Sequence, residues 1–268
     1  MRSLSELTCD EARSLRGLLF DLDDTFLSHG LLTREAYGAL WKLADAKLRL
    51  VAVTGRPSGW GEVVARQWPI DAAVTENGAI VAVREGRGIE LLDPCGGDER
   101  RARRIRLARL VESVRGRVAE VRLSDDVDAR RSDVTWDVGE RIRLPEDRVA
   151  LLLDEIAKAG ARSTRSSVHV HATFDVEDKA SGTLRLLAAR FGEDVTAARA
   201  HYAFVGDSGN DRACFNAFQV TFGVANVKSS LGGLGATPRY VAPSPMGMGF
   251  AEIAEAILAK RGGASGRS

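Results

Sequence analysis

The sequence predicts an α/β fold: a Rossmann-like parallel sheet covered by helices, interrupted by a smaller inserted α+β unit. Three observations carry that reading. Short apolar runs alternate with helix-spaced segments at both ends of the chain, the short-period strand–helix–strand style of a parallel sheet. Between about Arg84 and Asp178, glycines and a run of arginines break that style, and the order becomes helix–strand–strand, twice. The apolar runs also end in polar clusters, as strands do where the carboxyl ends of an open sheet line a crevice.

Taken in order, Gly17 to Phe20 reads as a buried strand that ends abruptly in Asp21, Asp23, Asp24 and Thr25. A strand's alternation would point Asp21 and Asp23 to one side and turn Asp24 away. Thr33 caps a helix whose Ala36, Tyr37, Leu40, Trp41 and Ala44 recur at helical spacing. Leu48 to Val53 is the next strand and ends in Thr54-Gly55-Arg56-Pro57. A helix over Trp60 to Trp68, a strand over Ala72 to Val74, and Thr75-Glu76-Asn77-Gly78 follow. Gly86, Gly88, Pro94, Gly96 and Gly97 then mark loop. The insert reads as helix (about 99–115), strands (about 118–123 and 134–138), helix (about 146–159) and two strands (about 161–173). Used twice, such a unit makes an antiparallel sheet with helices on one face. From Lys179 the first style returns. A helix from about Ser181 to Phe191 is followed by a strand from Tyr202 to Val205 that ends in Gly206-Asp207-Ser208-Gly209-Asn210-Asp211. A short helix, the run Val220 to Val224, a strand near Tyr240 and a helix from about Gly249 to Lys260 complete the pattern. The Gly/Ser-rich tail from Gly262 to Ser268 is expected to be disordered.

Composition bounds the function. At 268 residues, one large or two smaller domains are expected. A net charge of +1 argues against nucleic acid as the main partner. Cys9, Cys95 and Cys214 are too scattered for a disulfide framework or a zinc site, and are expected to be reduced thiols. The first residues hold no apolar stretch of signal-peptide length, and no run approaches the ~20 apolar residues of a membrane span. A cytoplasmic location is therefore expected, and the oligomeric state is unreadable.

The polar clusters gather at strand ends, where a parallel sheet can bring three of them together. Asp21, Asp23 and Asp207 suit a hard cation such as Mg²⁺, which prefers oxygen ligands. The Thr54 hydroxyl, the amides near Gly55 and the Lys179 ammonium suit a phosphoryl group. An ionised Asp can attack phosphorus to form an aspartyl phosphate.

Asp21-Leu22-Asp23-Asp24-Thr25, Thr54-Gly55-Arg56, Lys179 and Gly206-Asp207-Ser208-Gly209-Asn210-Asp211 resemble, in order and spacing, the four motifs of the haloacid dehalogenase (HAD) superfamily. Glu76-Asn77-Gly78-Ala79 and the position of the insert resemble its type IIB, Cof-like branch. The resemblance covers most of residues 17–258, densely outside the insert and weakly within it. It implies a core of residues 1–83 and 179–268 and a C2B-type cap of residues 84–178. It also implies Mg²⁺-dependent hydrolysis of a small phosphate monoester, a sugar phosphate or similar metabolite; a phosphomutase is the alternative. By the same resemblance Asp21 is nucleophile and metal ligand. Asp23 is general acid/base, with its carbonyl on the metal. Thr54, Gly55, Arg56, Asn77, His169, Lys179 and Asn210 meet substrate, and Asp207 completes the metal site, with Asp211 either on the metal or one layer behind it. An Asp rather than a Thr at position 23 favours turnover over a long-lived phosphoenzyme.

Four features are left to weigh. The arginines from Arg100 to Arg109 are expected to form a solvated helix face. Alternation along Ser167-Val168-His169-Val170-His171 sends the histidines to one face, expected to be the open one. Arg130 and Arg131 are similar candidates for substrate contact. Glu76-Asn77 reads as a hinge turn.

Overall fold

The computed structural model describes residues 1–166, 168–230 and 235–262. Ser167 and the tail beyond Gly262 lie outside the described residues. The strands are β1 (Arg2–Ser3), β2 (Gly17–Phe20), β3 (Arg49–Val53), β4 (Ala72–Thr75), β5 (Ile80–Glu85), β6 (Gly88–Leu92), β7 (Arg122–Leu123), β8 (Asp133–Asp137), β9 (Arg162–Arg165), β10 (His169–Thr173), β11 (Tyr202–Gly206), β12 (Val220–Gly223) and β13 (Tyr240–Val241). The α-helices are α1 (Cys9–Ser14), α2 (Arg34–Asp45), α3 (Ser58–Gln67), α4 (Gly97–Arg117), α5 (Glu146–Lys158), α6 (Lys179–Phe191), α7 (Val195–His201), α8 (Arg212–Ala217), α9 (Val227–Ser230) and α10 (Met246–Gly262).

A nine-stranded sheet runs in the order β1-β13-β12-β11-β2-β3-β4-β5-β6. It is parallel from β1 to β4, and β5 and β6 add an antiparallel edge. Strand β2 is covered on both faces, so its four residues are all apolar or glycine and all buried. Leu18 and Phe20 pack with Leu40, Phe250 and Ile257 on one side, whereas Leu19 packs with Leu184, Leu187 and Phe204 on the other. From β2 the chain moves outward through β3 and β4. It later returns to build β11, β12 and β13 on the opposite side. The strand order therefore reverses at β2, and a crevice opens beyond the ends of β2 and β11, where α/β sheets bind ligands.

The second sheet, β7-β8-β10-β9, is antiparallel. Val134, Trp136, Val170 and Ala172 meet Leu107 and Leu110 of α4 and Leu152 and Ile156 of α5. Alternation turns Asp133, Thr135, His169 and His171 to the other face, with His171 registered opposite Thr135. That face looks across at the ends of β2, β3 and β11.

Two expectations are corrected. The large sheet continues to Leu92, beyond the boundary read near Arg84, because Gly86, at φ +57°, closes a tight β5–β6 hairpin and is not a linker. The arginines of α4 are only partly a solvated face. Arg100 and Arg103 turn inward to Asp175, which is 1 % exposed, at 2.6 and 2.7 Å, and Arg106 lies over Phe174 at 3.6 Å. The apolar stripe of α4 starts at Leu107, so its first two turns pack through ion pairs instead.

Candidate active site

Asp21 is the first residue past β2, its amide bonded to the Val205 carbonyl of β11 at 2.9 Å. The chain then leaves the strand in one tight turn with Asp24 in left-handed geometry, φ 55°. The strand itself stops at Phe20, and the two carboxylates differ in exposure. Asp21 is buried among charged groups. Asp23 is exposed and offers both oxygens to Arg56, at 2.6–3.1 Å. Both nevertheless line one cleft of about 580 Å³ between the two sheets.

Lys179, 1 % exposed, is the first residue of α6, and its ammonium donates to Asp21 Oδ1 at 2.6 Å and Asp211 Oδ1 at 2.7 Å. The helix reaches that deep because two glycines let backbone meet backbone. A Cβ on Gly182 would stand 2.2 Å from the Gly78 carbonyl oxygen, and one on Gly78 2.0 Å from that of Asp178. Asp178 caps the helix through the Ser181 amide, fixing where its first turn begins.

Asp207 follows β11. Its oxygens accept from Thr25 Oγ1 at 3.2 Å and from Asn226 Nδ2 at 2.9 Å. Asp211 uses Oδ2 for the amides of Asp207 and Ser208, so both of its oxygens are engaged. It holds the loop and the lysine, while Asp21 Oδ2 accepts no hydrogen bond among the described residues. Carboxylate oxygens of Asp21, Asp207 and Asp211 lie within 4.8 Å of one another. Three carboxylates against one ammonium leave a local excess of negative charge. Burial pushes the Asp21 carboxyl well up; Lys179 opposes this, while Asp211, Asp207 and Asp23 add to it. Burial and then Asp211 raise Asp207 to about 7. Lys179 is raised despite its burial, because Asp21 and Asp211 hold its charge. An all-oxygen set with unspent negative charge fits a hard divalent cation such as Mg²⁺, with Asp21, Asp207 and Asp211 the carboxylates grouped closely enough to surround it.

Thr54, past β3, is buried, and its Oγ1 accepts from the Arg56 amide at 3.1 Å. Gly55 and Arg56 line the cleft, with Arg56 also stacked 4.1 Å over Trp60. Asn210 faces the same space while its Oδ1 accepts from Ser208 Oγ. Asn77 lies in a small side pocket, not the main cleft, with Oδ1 buried and unpaired. From the second sheet, His169 reaches the cleft and bonds Glu140 at 2.9 Å. His171 is buried against Asp133 and Thr135, its imidazole lowered by burial. Arg130 is enclosed by Asp126, Asp133 and the Gly55 carbonyl. Arg131, more than half exposed, reaches only Glu62 with its side chain, at 3.9 Å.

Glu76 is more than a hinge. Its buried carboxylate accepts from the Ser58 amide on α3 and from the Arg131 amide, Ser132 amide and Ser132 Oγ just before β8, at 2.6–3.1 Å. Glu76 and Asn77 are both left-handed, φ 49° and 53°, a rare conformation for consecutive non-glycine residues. Thr25 and Asn226, which steady Asp207, were likewise outside the expected set; the hydroxyl beside the acidic cluster was the available signal.

No protein-family model matches the sequence, and no curated protein matches it. Solved structures share its fold, among them phosphatases of the HAD superfamily. The sucrose-phosphatase of Synechocystis sp. PCC6803, determined with sucrose and phosphate, is 15 % identical at TM-score 0.65, covering 91 % of this chain and 98 % of its own. A HAD phosphatase from Bacteroides thetaiotaomicron is 19 % identical at 0.58, covering 97 % and 99 %. A HAD subclass IIB sugar phosphatase is 17 % identical at 0.59, covering 92 % and 99 %.

Proposed function

We propose that the protein is a Mg²⁺-dependent phosphatase of a small phosphate monoester, a sugar phosphate or similar polar metabolite. The large sheet serves as catalytic core and the second sheet with α4 and α5 as a cap. One observation carries the reading: Asp21, at the switch point of the sheet, has one oxygen fixed by a buried ammonium and the other without a hydrogen bond, beside a cleft of metabolite size. In this reading an Asp21 oxygen attacks phosphorus, the ester P–O bond breaks, and the leaving oxygen takes the proton of Asp23. Asp23 then removes a proton from water, whose oxygen attacks the aspartyl phosphate, and the bond to Asp21 breaks to release phosphate. Arg56 holds Asp23 over the cleft and gives up one of its hydrogen bonds when the leaving group arrives. Lys179 keeps Asp21 oriented and offsets phosphoryl charge. Asp21 and Asp207, with Asp211 alongside, would hold a Mg²⁺, which would supply charge neutralisation for the phosphoryl group. Glu76 ties the cap to the core while water is excluded.

The test is turnover of an aryl phosphate with Mg²⁺, its loss with chelator, and a beryllofluoride adduct at Asp21. No release and no adduct with purified protein would overturn the reading.

A further inference from the structure

Three consecutive carbonyls of the loop past β3 are each capped by a donor. The Thr54 carbonyl accepts from the Asn77 amide at 3.1 Å, and the Arg56 carbonyl from the Glu76 amide at 2.9 Å. Both donors belong to the left-handed turn of the core. The Gly55 carbonyl between them is met from the opposite wall, by Arg130 Nη1 at 3.0 Å. Gly55 lines the cleft, and its own amide has no acceptor among the described residues. A backbone with its carbonyls drawn off and an amide left over is suited to an anion.

The Arg130 contact reaches past one carbonyl. The peptide joining Gly55 to Arg56 accepts from Arg130 at its oxygen and donates through the Arg56 amide to Thr54 Oγ1, at 3.1 Å. Polarising one end of such a chain strengthens the hydrogen bond at the other. With Oγ1 accepting from that amide, the Thr54 hydroxyl keeps its proton, which has no acceptor among the described residues. Arg130 is held from two sides, Nε and Nη2 by Asp126 and Nη1 by Asp133, with its side chain 1 % exposed. A planar guanidinium fixed in this way aims its remaining proton in one direction.

We propose that Arg130 is a positioning residue of the cap: without touching the phosphoryl group, it completes the Thr54-Gly55-Arg56 loop, and only when the cap is seated on the core. The inference rests on the phosphatase reading and adds a reason for transfer to wait for closure. The same short segment does the seating. The Ala129 carbonyl accepts from Ser58 Oγ at 3.3 Å, and the Arg131 and Ser132 amides reach Glu76. If that segment lifts, the Gly55 carbonyl loses its donor and the Thr54 hydroxyl its polarised partner. By reciprocity, an anion bound in the loop favours the seated segment.

The probe is orthovanadate with Mg²⁺, which carries no leaving group to reach the cap. In the wild-type protein, saturating vanadate is expected to slow backbone hydrogen exchange severalfold in residues 127–133 as well as in residues 54–58. Arg130→Lys keeps a charge beside Asp126 and Asp133 but has no planar fork to serve the Gly55 carbonyl too. Its vanadate affinity should fall roughly three- to tenfold, the worth of one hydrogen bond. In a Thr54→Ala background the same substitution should change the affinity by less than about twofold, because the relay has lost its end. An arginine that only packs would weaken both backgrounds equally. Turnover of an aryl phosphate by the same preparation separates the failures. Without it, the phosphatase reading falls and this inference with it. If aryl phosphate is turned over while vanadate leaves exchange in residues 127–133 unchanged, the inference alone is overturned. It is equally overturned if Arg130→Lys lowers the affinity to the same extent in both backgrounds or in neither.

Discussion

On the core wall of the cleft, Asp21 and Asp207 are enclosed with too little positive charge around them, and both carboxyls are pushed up. On the cap wall, Asp133 is as deeply buried, yet its carboxyl is held down. Burial alone would raise it, but Arg130 and then His171 outweigh that. Asp126 is lowered in the same way, Arg130 overcoming burial. One wall is left electrostatically unfinished and the other is closed on itself. On the proposed reading, the negative charge left unspent on the core wall is what a cation would neutralise before a phosphoryl group enters. The cap wall settles its charges internally.

The largest expected effect is on the unfinished wall. If Asp21 is the nucleophile proposed above, Asp21→Asn should lower kcat by about 10³-fold or more, as losing a covalent nucleophile does. It should leave the melting temperature equal or higher, because one uncompensated carboxylate is gone. A variant with more than a few per cent of wild-type turnover would break the comparison at its root. Next, Lys179→Met leaves Asp21 and Asp211 buried without their cation. Breaking a buried pair costs about 3–5 kcal/mol, read by denaturant unfolding, and high Mg²⁺ should recover part of it. Equal losses with and without Mg²⁺ would place Lys179 in packing alone.

At the tie between the two walls, Glu76→Gln keeps the shape but weakens the hydrogen bonds from four donors to one carboxylate. A stability loss of about 1–3 kcal/mol is expected. Faster proteolysis between residues 92 and 178 and a KM increase larger than the kcat decrease should accompany it. An unchanged protease pattern would sink the role of Glu76 as a tie between sheets.

The smallest effect concerns pH. With its pKa raised from 3.8 to about 7, Asp207 binds a proton more tightly folded than unfolded. Its contribution favours the metal-free folded state below pH 4 and is lost as pH climbs to about 7. Asp133, held down, contributes in the opposite sense: its stability is present above the ordinary carboxylate range and disappears as pH falls below it. A Mg²⁺ held at Asp207 would compete with its proton, so the thermal shift on adding Mg²⁺ should be larger at pH 8 than at pH 5.5, by a few degrees for a difference of about 1–2 kcal/mol. Identical shifts would remove Asp207 from the metal's surroundings.

The two walls also differed in how far the sequence revealed them. Asp21, Thr54, Lys179 and Asp207 each sit at the end of a strand or the start of a helix, so contiguous motifs located them. The sheet's switch point explained their meeting. The tie at Glu76 joins residues 56 apart and grips amides, which every residue type carries. Asp175, which turned Arg100 inward, is 75 residues away and carries no local signal. The β5–β6 hairpin was missed because its glycines serve a turn as readily as a linker. Alternation along β10 was legible, and it put Val170 under the helices and His169 in the cleft, because period 2 holds inside a strand. Past the end of β2 it could not foretell that Asp23 would be exposed and paired with Arg56.

The contact between Gly78 and Gly182 has a consequence for how such chains are compared. Lys179 reaches Asp21 only because two positions, neither of them charged or polar in its side chain, contribute no atoms where helix meets turn. A homologue could keep every carboxylate, the hydroxyl and the lysine and still lose the ion pair if either glycine became alanine, since a methyl group there would displace the first turn of α6. Judging whether a distant relative retains the chemistry therefore means inspecting its smallest residues along with its reactive ones.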